Sequence, residues 1–140
     1  MPRAEKKKHS GFPAISLRQP NAGRIIRGEK SSDTRSRPTR FRGWLLVHAS
    51  KTIRRGDARK ESDRKLERGK VLGLVRLQDC VKAGDGWTYV WRSPRRFRTA
   101  IDCRGHYSIP FYVPAKLLAG TAAAKVTPGK LTPKASSRGA

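Results

Sequence analysis

Carboxylates are scarce in this chain of 140 residues. Ten Asp and Glu stand against 33 Lys and Arg, which gives a formal net charge of +23. A positive charge of this size repels itself in the folded state and attracts polyanions. Nucleic acid is therefore the partner that we expect. An anionic membrane surface and a merely solubilising excess of charge are the alternatives.

Long apolar runs are also missing from the sequence, and this argues against a membrane partner. No segment approaches the roughly 20 apolar residues of a spanning helix. The basic segments lack the broad apolar face of an interfacial helix. The N-terminal MPRAEKKKHSG carries positive charge without the apolar run of a secretory signal. We therefore expect a soluble, cytoplasmic protein that does not bind membranes.

Side chains that bind metals are few and scattered. Cys80 and Cys103 lack the C-x-x-C spacing of a zinc or redox site, and the three histidines stand singly. Two free thiols in a reducing compartment are the simpler interpretation. No metal site and no cofactor are predicted.

Composition divides the chain into a folded middle and two polar ends. Residues 1–12 are basic, and residues 119–140 are rich in Ala, Pro, Gly, Ser and Lys, so both are predicted to be disordered tails. Residues 13–118 suit one compact domain. They hold 25 of the basic residues and nine of the carboxylates. A polyanionic partner is therefore expected to meet the folded domain and not the tails alone.

Short strands dominate the predicted folded part. FPAISLR alternates as a strand, and Pro20 then opens a two-turn helix that ends at Gly28. SSDTRS and RGWLLVHAS are predicted to be the next two strands. The charged segment that follows is expected on the surface, with at most one helix around residues 58–68.

The second half of the domain continues this pattern. KVLGLVRLQDCVKA alternates as a long strand, with Gly73 as a candidate bulge or point of close approach. GDG at 84–86 marks a turn, and strands are predicted in WTYVWRSP, in FRTAIDC and in IPFYVP. The whole pattern predicts a mostly β (α+β) fold, a small antiparallel β-barrel with one or two short helices.

The order of these motifs resembles a known family. ISLRQPNAGRIIRGEKSSDTRSRPTRFRGWLLVHASK is similar to the opening of the ASCH domain, a PUA-like β-barrel family. There a strand, a Gln-Pro step, a short helix, G-x-K, an acidic residue, x-R and R-G-x-L-x-I-H-A follow one another. GKVLGLVRLQDCV looks like a later strand of the family, so that the resemblance covers about residues 13–114. It implies a PUA-like barrel with a nucleic-acid-binding cleft beside the first helix.

The resemblance also implies the residues of that cleft. The positions that match its motif are Gln19, Pro20, Gly28, Lys30, Asp33 and Arg35, with Arg42, Gly43 and His48 behind them. Lys30 and Arg35 would supply donors to anions, while Gly28 would allow a sharp turn. Asp33 and Arg35 would face the same way on a strand, so the carboxylate would orient the guanidinium or accept from a base amine.

Two positions depart from the family. An aromatic residue, most often Trp, usually follows Gln-Pro, where Asn21 stands here, and the acidic position, usually Glu, is Asp33. If the missing ring stacks on a nucleobase, that contact must come from elsewhere. Strand aromatics are more commonly core residues. The candidates are Trp44, Trp87, Tyr89 and Trp91.

Each candidate residue also has a structural interpretation. Lys30 and Arg35 are ordinary solvated charges if the motif is accidental, and Asp33 is then a local ion-pair partner. His48 points either into the barrel as a structural side chain or toward the edge of the cleft. SPRRFR suits phosphate contacts and stacking or forms a solvated hairpin tip; its basic residues are Arg95, Arg96 and Arg98.

Three functions are consistent with the sequence. The first is an RNA-binding module that holds phosphates with Lys30, Arg35, Arg42 and the 95–98 cluster. The second is a hydrolase, because some ASCH-like proteins hydrolyse an amide on a modified cytidine and others are described as ribonucleases. Lys30 fits the family's catalytic lysine, but Asp33 occupies the position of its threonine nucleophile; Lys30, His48 and Asp33 could serve a ribonuclease as acid and base. The third is an accessory protein that coats RNA through charge alone.

Overall fold

The computed structural model describes residues 11–52 and 66–131, and this part of the chain is mostly β. Six strands form one mixed sheet in the order β2-β5-β4-β3-β1-β6, and β7 pairs with β3. The strands are β1 (Phe12–Leu17), β2 (Ser32–Arg35), β3 (Phe41–Ala49), β4 (Lys70–Ala83), β5 (Gly86–Asp102), β6 (Phe111–Val113) and β7 (Lys130–Leu131). The helices are α1 (Asn21–Ile26) and two 3-10 helices, Ala115–Leu118 and Ala122–Lys125.

The prediction of a mostly β fold is confirmed, and the described residues form three short helices where one or two are predicted. β1 runs parallel to β3, with Ala14 opposite Leu46, and the other pairings are antiparallel. β2 and β6 end the strand order, and within the described residues they do not pair with each other. The sheet is therefore open in that part of the chain.

Alternation along the strands places apolar side chains on both faces of the sheet. On β1, Ile15 belongs to one buried cluster and Ala14 to the other, and Leu45 and Leu46 of β3 divide in the same way. The first cluster also contains the apolar face of α1. Within the described segments, no helix is both long and apolar enough to cross a membrane.

Helix α1 is short and depends on its buried face for stability. Ala22, Ile25 and Ile26 are buried, as the apolar stripe predicts. Pro20 is the N-cap and not the first helical residue. Gly28 follows the C-cap with a φ of +80°, and its N–H donates to the Ile25 carbonyl at 3.0 Å. The predicted glycine stop is therefore confirmed, because the left-handed conformation there favours glycine.

Strands β4 and β5 form a long bulged hairpin. The turn lies at Gly84 and Asp85, as predicted, but β5 is one strand of 17 residues where two strands are predicted. Pro94 lies where the sequence predicts a break between those two strands. The pairing with β4 shifts its register in this region, and Ser93 has a φ of 52°, so β5 continues through it. A Cβ on Gly73 would lie 2.2 Å from the Arg95 carbonyl oxygen. Gly73 is therefore the point of close approach that the sequence suggests.

The structure differs from the predicted C-terminal tail over residues 119–131. A 3-10 helix covers Ala122–Lys125, with Ala123 buried, and β7 pairs with the start of β3. Ala123 belongs to the buried cluster that also contains Ala14 and Leu46. A segment whose composition is typical of disorder therefore contributes to the core. Residues 1–10 and 132–140 of the predicted tails, and most of the helix predicted around 58–68, lie outside the described residues.

Candidate functional site

A cleft of about 1020 Å³ opens where β1, the start of α1, β2 and the loop after β5 meet. We call it the basic cleft. Among the described residues, its lining contains two carboxylates, of which Asp102 is already paired with Lys70 Nζ at 2.7 Å. The cationic side chains of this described lining are Arg18, Arg35, Arg37, Lys51, Arg68 and Arg104. This excess of cations makes the basic cleft an attractive site for anions.

Asp33 lies in the wall of the basic cleft and is 9% exposed. The indole Nε1–H of Trp91 donates to its Oδ1 at 3.0 Å, and its Oδ2 lies 3.9 Å from Nη1 of Arg35. Burial raises the pKa of the Asp33 carboxyl, although the Trp91 hydrogen bond and the charges of Arg35 and Lys30 oppose that shift. The prediction that Asp33 and Arg35 face the same way is confirmed.

Arg35 is the guanidinium that the sequence places beside Asp33. Its Cζ lies 5.8 Å from the centroid of the Tyr89 ring, and its side chain is partly exposed to the cleft. Its Nε is buried without a hydrogen-bond partner among the described residues. Arg35 is therefore held against Asp33 and Tyr89, and the exposed part of its guanidinium can donate to a ligand in the cleft.

Tyr89 shapes this wall from the core. Its hydroxyl donates to the Arg37 carbonyl at 2.6 Å and so fixes the segment that follows β2. Burial raises the pKa of the Tyr89 hydroxyl to about 12, so the group stays protonated and keeps donating at neutral pH. This hydrogen bond fixes the backbone of Arg37 close to Arg35, the last residue of β2.

His48 reaches the floor of the basic cleft from β3 but is only 1% exposed. Its Nε2 lies 2.7 Å from the Cys103 carbonyl oxygen, which can only accept, so Nε2 carries the proton. Nδ1 is then the acceptor for the Ser16 hydroxyl at 3.0 Å. Burial lowers the pKa of His48, which favours this neutral form. The contacts match the structural interpretation of His48, which joins β1, β3 and the loop after β5.

The Gln-Pro step is structural in this arrangement. Gln19 is buried, its Oε1 accepts from the Gly23 N–H at 2.9 Å and its Nε2–H donates to the Glu67 carbonyl at 2.8 Å. It connects α1 to the chain before β4 and does not line the basic cleft. Pro20 follows through a cis peptide bond.

Three other predicted site residues also lie outside the lining of the basic cleft. Gly28 serves as the helix stop. Lys30 is half-buried and close enough to Asp33 to act on its pKa. Arg42 donates to the carbonyls of Thr39 and Phe41, and its Nη2 lies 3.6 Å from Asp79 Oδ1. These contacts hold Arg42 at the start of β3, away from the cleft.

The arginines of SPRRFR lie within β5, not at a hairpin tip. Together with Arg92 they are exposed on both faces of this strand, and we call the group the basic ridge: Arg92, Arg95, Arg96 and Arg98. Arg92 is opposite Arg76 on β4, and like charges directly opposite each other are destabilising. Arg96 and Arg98 line a smaller cavity of about 360 Å³ together with Gln19. The basic ridge is thus a second group of exposed cations, outside the lining of the basic cleft.

Most aromatic candidates are occupied by structural contacts. Tyr89 and Trp91 are buried, Trp44 lies under the guanidinium of Arg95 at 4.9 Å, and Trp87 lies under Lys82 Nζ at 5.4 Å. None of these four lines the basic cleft.

Tyr107, by contrast, lines the cleft and is 79% exposed, but it is not among the residues that the sequence points to. The sequence feature that could have indicated Tyr107 is an aromatic residue in HYSIP, a loop segment between two strands.

Among the described residues, no three His, Cys, Asp or Glu side chains are grouped so that they could hold a metal ion. Cys80 and Cys103 are free thiols. No protein-family model and no curated protein matches this chain.

Proposed function

We propose that this chain is an ASCH-type, PUA-like RNA-binding domain that holds single-stranded RNA in the basic cleft. The observation that carries the proposal is the lining of that cleft, in which the described residues contribute six Lys and Arg side chains against two carboxylates. Guanidinium groups bind phosphate oxygens through pairs of parallel hydrogen bonds. The cleft therefore offers several such sites within reach of one short strand of nucleic acid.

The family assignment is part of the same proposal. Of the residues that match the ASCH motif, Asp33, Arg35 and His48 line the basic cleft. Register shifts such as those between β4 and β5 accompany local bending of strands, which is compatible with the curvature of a PUA-like sheet. Three of the nine motif positions thus lie in the wall of the proposed site.

The dimensions and polar groups of the cleft favour an unpaired strand. A volume of about 1020 Å³ suits a few nucleotides and is too small to enclose a duplex. Unpaired bases expose their hydrogen-bonding edges, and this is how proteins recognise RNA by sequence. The Trp91 indole occupies Oδ1 of Asp33, while Oδ2 faces Arg35 and can accept from a base amine. We therefore expect a preference for cytosine, adenine or guanine over uracil at this position.

A binding role is better supported than the hydrolase alternative. The amidohydrolase chemistry needs a hydroxyl nucleophile three residues after the lysine, and Asp33 stands there with its carboxylate bonded to Trp91. His48 is 1% exposed and is bonded through both ring nitrogens, so it is poorly placed to exchange protons with a substrate.

Fluorescence anisotropy with a single-stranded RNA over a salt series tests the proposal. If about 4–6 phosphates are neutralised, the slope of log affinity against log salt should be roughly −3 to −4. A flat response would reject RNA binding through charge.

Two double variants of equal charge then locate the site: Arg35→Gln/Arg104→Gln in the cleft and Arg92→Gln/Arg98→Gln on the basic ridge.

The cleft variant should lose more than about tenfold in affinity and flatten the slope by roughly 1.4, since each single-strand phosphate contact contributes about 0.7. The ridge variant should lose less. Equal losses in the two variants would indicate a protein that coats RNA through charge alone, and circular dichroism spectra establish that both variants are folded.

A further inference from the structure

Tyr107 is the most exposed large apolar side chain among the described residues, at 79%. It lies in the loop between β5 and β6 and lines the basic cleft. Although Arg37 and His106 contact this ring, most of its surface is open, so that a planar ligand can stack on it. The cleft that it lines is rich in guanidinium groups, which favours an anionic ligand that carries rings over an apolar protein surface.

Arg37 holds the Tyr107 ring in place from the other wall of the cleft. The Arg37 Cζ lies 5.9 Å from the ring centroid, and its Nη2–H donates to the backbone carbonyl of Tyr107. The backbone of Arg37 is itself fixed, because its carbonyl accepts from the Tyr89 hydroxyl. The backbone of Tyr107 is therefore connected to the buried core through two successive hydrogen bonds.

The base of the loop is equally well anchored. His48 Nε2–H donates to the Cys103 carbonyl, and Gly105 packs so tightly that a Cβ there would lie 2.4 Å from His48 Cε1. Within the loop, the Ser108 N–H donates to His106 Nδ1 at 3.1 Å, and the His106 ring centroid lies 5.1 Å from that of Tyr107. The exposure of Tyr107 thus occurs in a loop with defined contacts, and a preorganised ring loses little freedom when a ligand binds.

We propose that Tyr107 and Arg37 form a stacking subsite for one unpaired nucleobase at the mouth of the basic cleft. This inference rests on the proposed RNA-binding function and adds a residue to it. Asn21 lines the same cleft without a ring, and Tyr107 contributes the phenol ring of the described lining. The base stacks on the Tyr107 ring, the guanidinium of Arg37 adds a cation beside it, and the adjoining phosphates contact the arginines of the cleft wall.

The test compares Tyr107→Ala with the matched variant Tyr107→Phe in the full chain, using a single-stranded RNA labelled for anisotropy. Loss of stacking should weaken binding by about 5- to 150-fold in the Ala variant, whereas Phe should stay within about twofold of wild type. Neither substitution removes a charge, so both should keep the wild-type salt slope. Arg37→Gln, by contrast, should flatten the slope.

An abasic strand supplies the second arm of this experiment. Wild type should bind an RNA with one abasic nucleotide at the stacked position more weakly than the intact strand, and Tyr107→Ala should not distinguish the two. If wild type binds RNA with a steep salt slope but the Ala and Phe variants are equal to it, the stacking subsite is overturned while RNA binding stands. If wild type shows no salt-dependent binding, the proposed function fails and the subsite fails with it.

Discussion

Gly105 connects the buried core to the loop that carries Tyr107, and Gly105→Ala tests that connection. A Cβ at this position would lie 2.4 Å from His48 Cε1 and 2.7 Å from Nδ1, while ordinary contact begins at 3.4 Å, so the loop must move by about 1 Å. The imidazole cannot retreat, because it is 1% exposed and lies edge-on to Phe111 at 5.8 Å between ring centroids. Movement of the loop stretches the bond from His48 Nε2–H to the Cys103 carbonyl.

The expected cost follows from that broken contact. A buried polar group that loses its partner destabilises a protein by about 1–3 kcal/mol, and we expect Gly105→Ala to lower the free energy of unfolding by that amount in urea denaturation. RNA affinity should fall as well, since Tyr107 moves with the loop, but by no more than in Tyr107→Ala.

A double-mutant cycle identifies the cause of this loss. His48→Ala removes the ring that the new methyl group meets, so Gly105→Ala should cost less than about 0.5 kcal/mol in that background. An equal cost in both backgrounds would refute the reasoning, because the loss would then come from the glycine backbone and not from contact with His48.

Three further predictions concern stability. Asp33→Asn keeps an acceptor for the Trp91 indole but removes a carboxylate whose pKa is raised by burial. At pH 7 the free energy of unfolding should therefore be unchanged or higher, while the selectivity of RNA binding for amino-bearing bases falls. Clear destabilisation of the variant in urea would contradict this. Burial lowers the pKa of His48 below 6.5, so the unfolded state binds the proton more tightly than the folded state does. The melting temperature should therefore fall as the pH drops below about 6.5. A His48→Gln variant with the same pH dependence of the melting temperature would contradict this prediction. Gly73→Ala places a Cβ 2.2 Å from the Arg95 carbonyl and should cost about 1–3 kcal/mol or more in urea denaturation, whereas near-neutral behaviour would mean that β4 and β5 separate easily there.

Much of the strand and helix pattern is readable from local sequence. Alternation marks β1, β3 and β4, and Gly28 ends α1, because these signals depend on neighbouring residues alone. β5 is different, since Pro94 indicates a break that the bulged pairing with β4 accommodates. The segment after residue 118 has the composition of a tail, and only the shape of the apolar cluster that Ala123 enters makes it part of the fold.

The candidate site is predictable only in part for the same reason. Asp33 and Arg35 share a strand and lie two residues apart, so their common orientation follows from β geometry. Whether Arg42 and the arginines of β5 join them depends on tertiary packing and on the register shifts between β4 and β5, which no local pattern contains. Tyr107 depends on a loop that packs against the distant His48.

The most direct test of the account is an NMR titration of the isotope-labelled full chain with a short single-stranded RNA. If RNA binds in the basic cleft, the largest amide shift changes occur at its lining, at Arg35, Gly105 and Tyr107, and remain there as salt is raised toward physiological concentration. Changes that are concentrated on the basic ridge, or spread over all basic segments and lost with salt, would contradict it.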